Sequence, residues 1–374
     1  MADRILFNSR GHLGVVNADG TGQRFLEFDV PNQVSWGLGP AFSDGRRIIA
    51  MSVENPRTWE HQSVSHLWIH DLDTGGLTEI ATKNKPCPFM PAAALLPGEE
   101  QMIVNPDIDG EQRAWIMDLD GSNPVELTRA GEGFTYGISL SPDARRIAFH
   151  APSAGHNYRV FTMNLDGTGR TLVVGHIEHI YFCPLWSPDG EWLLFLDCHS
   201  PTDPGHDWAE LCIARPDGRD FRHITTGMDH WFATSYGSPA TRGSGSNIVR
   251  WSPRRNVCTY TRALPGSRSP WQYRPDRPDS DHFNRDYLPE EASGGTGIYL
   301  VDPFAGDRVT AVAPAEPGVW LFRATWSPDG SKMAYCRSAV GEPAELWVMD
   351  ADGGNARFLT RGWDDMGADH PLWV

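Results

Sequence analysis

Fourteen histidines are spread along this 374-residue chain, and several fall beside arginines and aromatic residues. His179 and His199 bracket one apolar stretch, HIYFCPLWSPDGEWLLFLDCH, and His150, His206 and His230 flank others. Imidazole changes charge near neutral pH, so it can act as base, acid or metal ligand. Arg10, Arg57, Arg323 and Arg337 each offer a planar fork suited to a carboxylate. Tyr136 adds a second kind of proton-transfer group, while Trp59, His61 and Tyr158 offer ring faces for a sugar. Such a set suits binding of an acidic sugar, and it also suits β-elimination of a uronate. That reaction removes a weakly acidic C5 proton, so it needs the carboxylate charge neutralised, then a base, then an acid for the leaving oxygen. Positioned proton transfer typically supplies ~10²–10⁴-fold, so neutralisation must supply much of the rest.

Residues this far apart need a fold that gathers loops, and the sequence repeats in a way that provides one. Ser-Pro-Asp-Gly-type turns occur at Ala41-Phe-Ser-Asp-Gly45, Leu95-Leu-Pro-Gly98, Leu140-Ser-Pro-Asp143, Trp186-Ser-Pro-Asp-Gly190, Trp251-Ser-Pro253 and Trp326-Ser-Pro-Asp-Gly330. Each precedes an apolar run, as expected of a β-hairpin whose Pro and Asp set a type I turn. A second Asp-Gly turn alternates with the first, as in Asn164-Leu-Asp-Gly-Thr168 and Asp350-Ala-Asp-Gly353. The end, His370-Pro-Leu-Trp-Val374, reads like the strand before the first turn, and the start, Arg4-Ile-Leu-Phe-Asn8, like the strand after it. Joining them gives a seventh unit. A period of about 40–50 residues with four strands per unit predicts an all-β, seven-bladed β-propeller whose last blade is closed by N- and C-terminal strands. One domain spans 1–374, with insertions near 229–247 and 263–297.

In such a ring the Ser-Pro-Asp-Gly turns share a lower face. The loops before each first strand and after each second strand form the upper face around the central channel. Eleven of the fourteen histidines fall in those upper loops or at their edges, His179, His199, His150 and His230 among them, whereas His66, His70 and His223 fall in outer strands. The upper face is therefore the expected active face. His179, His199, His230 and His370 lie in separate upper loops, and a metal site built from them is a further possibility.

The formal net charge of −16 argues against nucleic acid and anionic membrane surfaces as partners. The start, Met1-Ala-Asp-Arg-Ile-Leu-Phe, runs straight into a strand pattern. The six cysteines show no CxxC spacing and read as buried free thiols in a reducing compartment. A cytoplasmic location is expected. The oligomeric state is not legible.

The repeat resembles the TolB-like, PD40 class of propellers over essentially the whole chain. A second resemblance, covering about three blades, is to oligogalacturonate lyase and related propeller polysaccharide lyases. It rests on Phe195-Leu-Asp-Cys-His199 to His206 with Arg215-Pro-Asp-Gly218, on Tyr136-Gly-Ile-Ser-Leu-Ser-Pro-Asp143 through His150 and Tyr158, and on His370-Pro. It implies a lyase acting on uronate-containing oligosaccharides, with His370 a metal-binding histidine and a divalent ion, Mn or Ca, as the possible cofactor. The family's Gln-x-x-His-x-His metal run reads here Asp365-Met-Gly-Ala368-Asp-His370, so only the last histidine is kept. Another family metal histidine falls near Arg323, which suggests Arg323 as the carboxylate partner in place of the metal.

Catalysis is thus expected from His179, His199, His150, Tyr136 and His230. Substrate binding is expected from Arg10, Arg57, Trp59, His61, Tyr158, His206, Arg323 and Arg337. The alternative is a non-catalytic TolB-like propeller binding a protein partner or sugar through the same face. No GxSxG elbow, P-loop or Rossmann fingerprint is present. Arg242-Gly-Ser-Gly-Ser-Asn247 reads as a flexible loop, and the basic, aromatic stretch 267–277 as a lid, an oligomer contact or a solvated loop.

Overall fold

The computed structural model describes residues 3–54, 64–80, 90–152, 158–198, 207–274, 284–306 and 309–374. Strands carry nearly all the regular structure among them, with two single-turn 3₁₀ segments at Pro289–Glu291 and Trp363–Asp365. The repeated turns do what their residue types dictate. In Ser187-Pro-Asp-Gly190 the Ser187 hydroxyl donates to Asp189 at 2.5 Å and accepts from the Trp192 N–H at 3.0 Å. Gly190 takes φ 71° to close the turn. Ser327 and Asp329 repeat this at 2.7 Å, and hydrogen bonds from Ser327 and Ser331 hold the Asp329 carboxyl down to about 2.

Each turn opens a four-strand antiparallel meander in which chain order equals spatial order. Tyr136–Leu140, Arg146–Pro152, Tyr158–Asn164 and Thr171–Val174 form one such sheet. Among the described residues there are five separate four-stranded sheets. In one of them Asp369–Trp373 pairs with Arg4–Ser9, joining the two ends of the chain. A nine-stranded sheet contains two further meanders. The first runs Tyr181–Trp186, Leu193–Asp197, Trp208–Ala214 and Arg222–His223; the second runs Arg250–Trp251, Cys258–Ala263, Thr296–Val301 and Val309–Ala313. The short strand His230–Trp231 bridges them, pairing with Trp208–Ala214 on one side and Cys258–Ala263 on the other. First strands of successive meanders touch: Ser35–Ala41 meets Ala92–Leu95, which meets Tyr136–Leu140, which meets Tyr181–Trp186. The result is an all-β propeller.

The second strands are apolar on both faces because each sheet is packed between neighbours. In Leu193–Asp197, Leu193 and Phe195 pack with Ala148 and Val160 of the preceding sheet, while Leu194 and Leu196 pack with Val249 and Cys258 of the following one. The described cysteines, Cys183, Cys198, Cys212, Cys258 and Cys336, are buried, as expected. The two insertions hold more order than loops do. Ala233–Tyr236 pairs with Gly243–Ser246, and Trp271–Tyr273 pairs with Arg285–Tyr287. No described helix is long and apolar enough to cross a membrane.

Candidate functional site

A backbone irregularity repeats along the inner strands and positions the site. Three residues before the Trp or Leu that leads into the first turn, the chain adopts positive φ: Gly137 (56°), Cys183 (53°), Arg323 (53°) and His370 (52°). Each lies where the register with the next strand slips, so each is the extra residue of a β-bulge. Glycine suits that conformation. Arginine and histidine are strained there, and such strain persists only where the surroundings enforce it. Arg323 and His370 occupy the equivalent position in neighbouring sheets whose inner strands touch.

The Arg323 guanidinium pairs with Asp369 and also donates to Tyr236 Oη at 3.2 Å and Thr234 Oγ1 at 3.1 Å. Its backbone N–H donates to Asn247 Oδ1 at 2.8 Å. Burial lowers its pKa to about 10, which leaves it charged at neutral pH. Tyr236 donates its hydroxyl to the same Asp369 carboxylate. His370 Nδ1 lies 3.3 Å from Asp369 Oδ2, and its side chain is half-exposed. A buried guanidinium and a tyrosine thus fix a carboxylate that lies beside an accessible imidazole.

The insertion 229–247 completes this group. Gly243 leaves room for Tyr236, since a Cβ there would lie 2.2 Å from the tyrosine oxygen. At Gly245, where φ is 134°, a Cβ would lie 2.8 Å from Arg323 Nη2 and 3.7 Å from His370 Nε2. The Gly-rich stretch read as a flexible loop is instead a paired strand, with two glycines needed for close approach. Asp369, Tyr236, Thr234 and Asn247 were not among the expected site residues. Their signal was the Gly-x-Gly alternation, which only makes sense against bulky neighbours.

The other expected residues gather elsewhere. Tyr136, His150 and Tyr158 form an aromatic nest with Phe182, with ring centroids 5.0–6.1 Å apart. His150 is 5 % exposed, its Nδ1 accepts from the Cys183 N–H, and burial lowers its pKa to about 3. His230 is enclosed within the bridging strand. Its Nε2 donates to the Asn247 carbonyl at 2.9 Å and its Nδ1 accepts from the Thr261 N–H at 3.1 Å. Burial lowers its pKa to about 4, and no ring nitrogen is left for a substrate or metal. A metal site shared by His230 and His370 therefore does not form. Arg10 donates to the Ala240 carbonyl at the tip of the inserted hairpin. Arg337 turns to the third strand of its sheet, to Glu345 at 3.3 Å and over Trp347. Arg57, Trp59, His61, His199 and His206 lie outside the described residues.

His179 meets a partner that the spacing did not suggest. Its Nδ1 lies 2.8 Å from Asp197 Oδ2, and His223 Nε2 lies 3.0 Å from the same oxygen. His223 had been assigned to an outer strand away from the chemistry. It does lie on the outer strand, but the pleat turns it toward Asp197. Among the described residues the expected imidazoles therefore divide between separate groups, because each is held by its own sheet.

The residues around His370 do not fit the manganese site that the lyase resemblance implies. Ala368 is fully buried and offers no donor, Asp365 faces solvent, and Arg323 brings a positive charge.

No family model matches the chain. A 105-residue segment, 27% of the chain, is 30% identical to an uncharacterized peptidase, YuxL, of Bacillus subtilis (strain 168), of which it covers 15%. Among solved structures the chain is similar to oligogalacturonate lyase from Vibrio parahaemolyticus, with TM-score 0.59 and 14% identity, covering 96% of this chain and 86% of that one. It is similar to puromycin hydrolase, with TM-score 0.62 and 15% identity, over 97% of this chain but 53% of that one. TolB from Acinetobacter baumannii gives TM-score 0.50 and 14% identity over 98% of this chain and 80% of that one. At such identities the likeness is one of fold, a β-propeller.

Proposed function

We propose that this chain is a carbohydrate-active lyase that cleaves short uronate-containing oligosaccharides by β-elimination on the upper face. The observation that supports this is the half-exposed His370 imidazole, 3.3 Å from the Asp369 carboxylate on a strained inner-strand bulge. An imidazole aligned by a carboxylate is a common arrangement for a general base. In this reading His370 Nε2 takes the C5 proton, the C4–O bond breaks, and the electron pair forms a C4=C5 double bond conjugated with the carboxyl group. The departing oxygen takes a proton. Arg323 and Tyr236 hold Asp369 in place. The ring in this reading has seven blades, with the nine-stranded sheet counted as two joined by His230–Trp231. Its partner is an acidic oligosaccharide, with no nucleic acid and no membrane surface, and its compartment is the cytoplasm.

A second reading, a non-catalytic propeller that binds a protein or sugar, is favoured by a different observation. The Arg323 guanidinium is already matched by Asp369 within the chain, which leaves the substrate carboxylate without that partner. Incubation with pectic, alginate, glucuronan and rhamnose-glucuronate oligosaccharides, followed by ultraviolet absorbance of the unsaturated product, separates the two. Peptide and aminoacyl amide substrates belong in the same panel because of the peptidase-like fold neighbours. Absorbance that grows with the native chain and vanishes with His370→Ala is the expected result. Silence across all uronates would leave the binding reading.

A further inference from the structure

The sheet built on Tyr181–Trp186 carries a second cluster, separate from His370. Asp197 and Glu210 are cross-strand partners, Cys212 lies two residues beyond Glu210, and His223 is the partner of Cys212. With a side-chain period of two, these four residues project from one face of the sheet. His179, two residues before the inner strand, adds its ring from the side. Asp197 and Cys212 are fully buried, whereas the side chains of His179 and His223 are 26% and 32% exposed.

We propose that Asp197, Cys212 and His223 bind a zinc ion or a similar borderline-soft divalent metal, with His179 orienting Asp197. One donor atom each from Asp197, Cys212 and His223 lies within 4.8 Å of the others, and His179 Nδ1 sits 2.8 Å from Asp197 Oδ2. A tetrahedral zinc with ligands at its usual bond lengths separates them by about 3.3–3.6 Å, so the His223–Asp197 contact of 3.0 Å opens by tenths of an ångström and the other separations, each within 4.8 Å, settle toward the same value. The donor set selects the metal. Imidazole and thiolate suit zinc, while calcium and manganese prefer oxygen. Charge supports the same conclusion. The Asp197 carboxylate has no exposed surface, Glu210 lies 3.5 Å from His223, and burial with these two acids pushes the Cys212 thiol up. A dication at this point favours the carboxylate and the thiolate alike. On binding, the Cys212 thiol releases one proton to solvent and its sulfur lone pair forms the metal bond. The His223 imidazole binds neutral through Nε2 and keeps its proton on Nδ1, while His179 holds Asp197 through its Nδ1 contact. Two fully enclosed ligands on adjacent strands favour a structural role, tying the sheet's outer strand to its inner end.

The test uses the whole chain, stripped with a chelator and titrated with Co²⁺ and then Zn²⁺. One cobalt per chain is expected, with a thiolate-to-cobalt charge-transfer band and the intense visible bands of tetrahedral cobalt, both lost when zinc displaces it. Cys212→Ser should abolish the charge-transfer band. His223→Gln should weaken affinity at least about tenfold, and His179→Gln, which removes the contact that orients Asp197, by about 10–100-fold. His223→Gln alters a partly exposed outer-strand residue, so it remains informative if Cys212→Ser fails to fold. No thiolate band in the native chain, or unchanged affinity in His223→Gln, overturns the proposal. Binding of manganese or calcium in preference to zinc overturns it too. None of these outcomes depends on lyase activity.

Discussion

Replacing His230 by glutamine, or His150 by asparagine, should remove a large part of this protein's sensitivity to mild acid. Both imidazoles are buried and uncharged, with pKa values lowered to about 4 and about 3. In the unfolded chain each takes up a proton near pH 6.5, roughly the ordinary histidine value. Between those limits the unfolded state binds more protons than the folded state, so stability falls as pH falls. The loss begins as pH drops below about 6.5 and is complete once the folded values are passed. At about pH 5 each histidine lies ~1.5 pH units below its unfolded value, which at ~1.36 kcal/mol per unit is about 2 kcal/mol, or about 4 kcal/mol for the pair. Urea unfolding at about pH 7.5 and pH 5 measures this directly, and comparing the two pH values within one variant cancels any general destabilisation by the substitution. Each single variant should recover about 2 kcal/mol of the difference. A native chain equally stable at both pH values, or variants with undiminished pH dependence, would show that these rings are accessible and protonate in the folded state. That result would return them to the list of proton-transfer candidates.

Asp369→Asn should cost about 3–5 kcal/mol in urea unfolding, because it leaves the buried Arg323 charge without its counter-ion; a loss under 1 kcal/mol would mean that water already serves Arg323. Gly245→Ala should lower sugar binding or turnover at least about tenfold while costing only about 1–2 kcal/mol, since the added carbon displaces Arg323 Nη2 at a positive φ; unchanged activity would place the reaction elsewhere. Ser187→Ala should destabilise the fold by about 1–2 kcal/mol without touching activity, because its hydroxyl closes a lower-face turn.

The strands, the turns and the joining of the two chain ends were legible from residue order alone. Ser-Pro-Asp-Gly needs only neighbours to form, and a run such as Leu193–Asp197 advertises burial on both faces by its composition. The ring follows from repetition, since identical local units stacked with a constant rotation come back to their start. His370 was singled out only as a metal histidine, as the lyase resemblance implies, and its place beside Asp369 and Arg323 came from the structure. What sequence could not supply was which side chains meet. Asp197 looked like the end of an apolar strand and His223 like an outer-strand residue, yet the pleat and register bring both onto one face beside His179. His230 looked like a rim imidazole, but the bridging strand enclosed it and the backbone took both nitrogens. Arg323 looked free to receive a carboxylate, but Asp369, 46 residues further along, already holds it. Turn chemistry is set over a few residues and survives in any context. Contacts between side chains on different strands depend on register and on the angle between sheets, and those are decided only when the ring has closed.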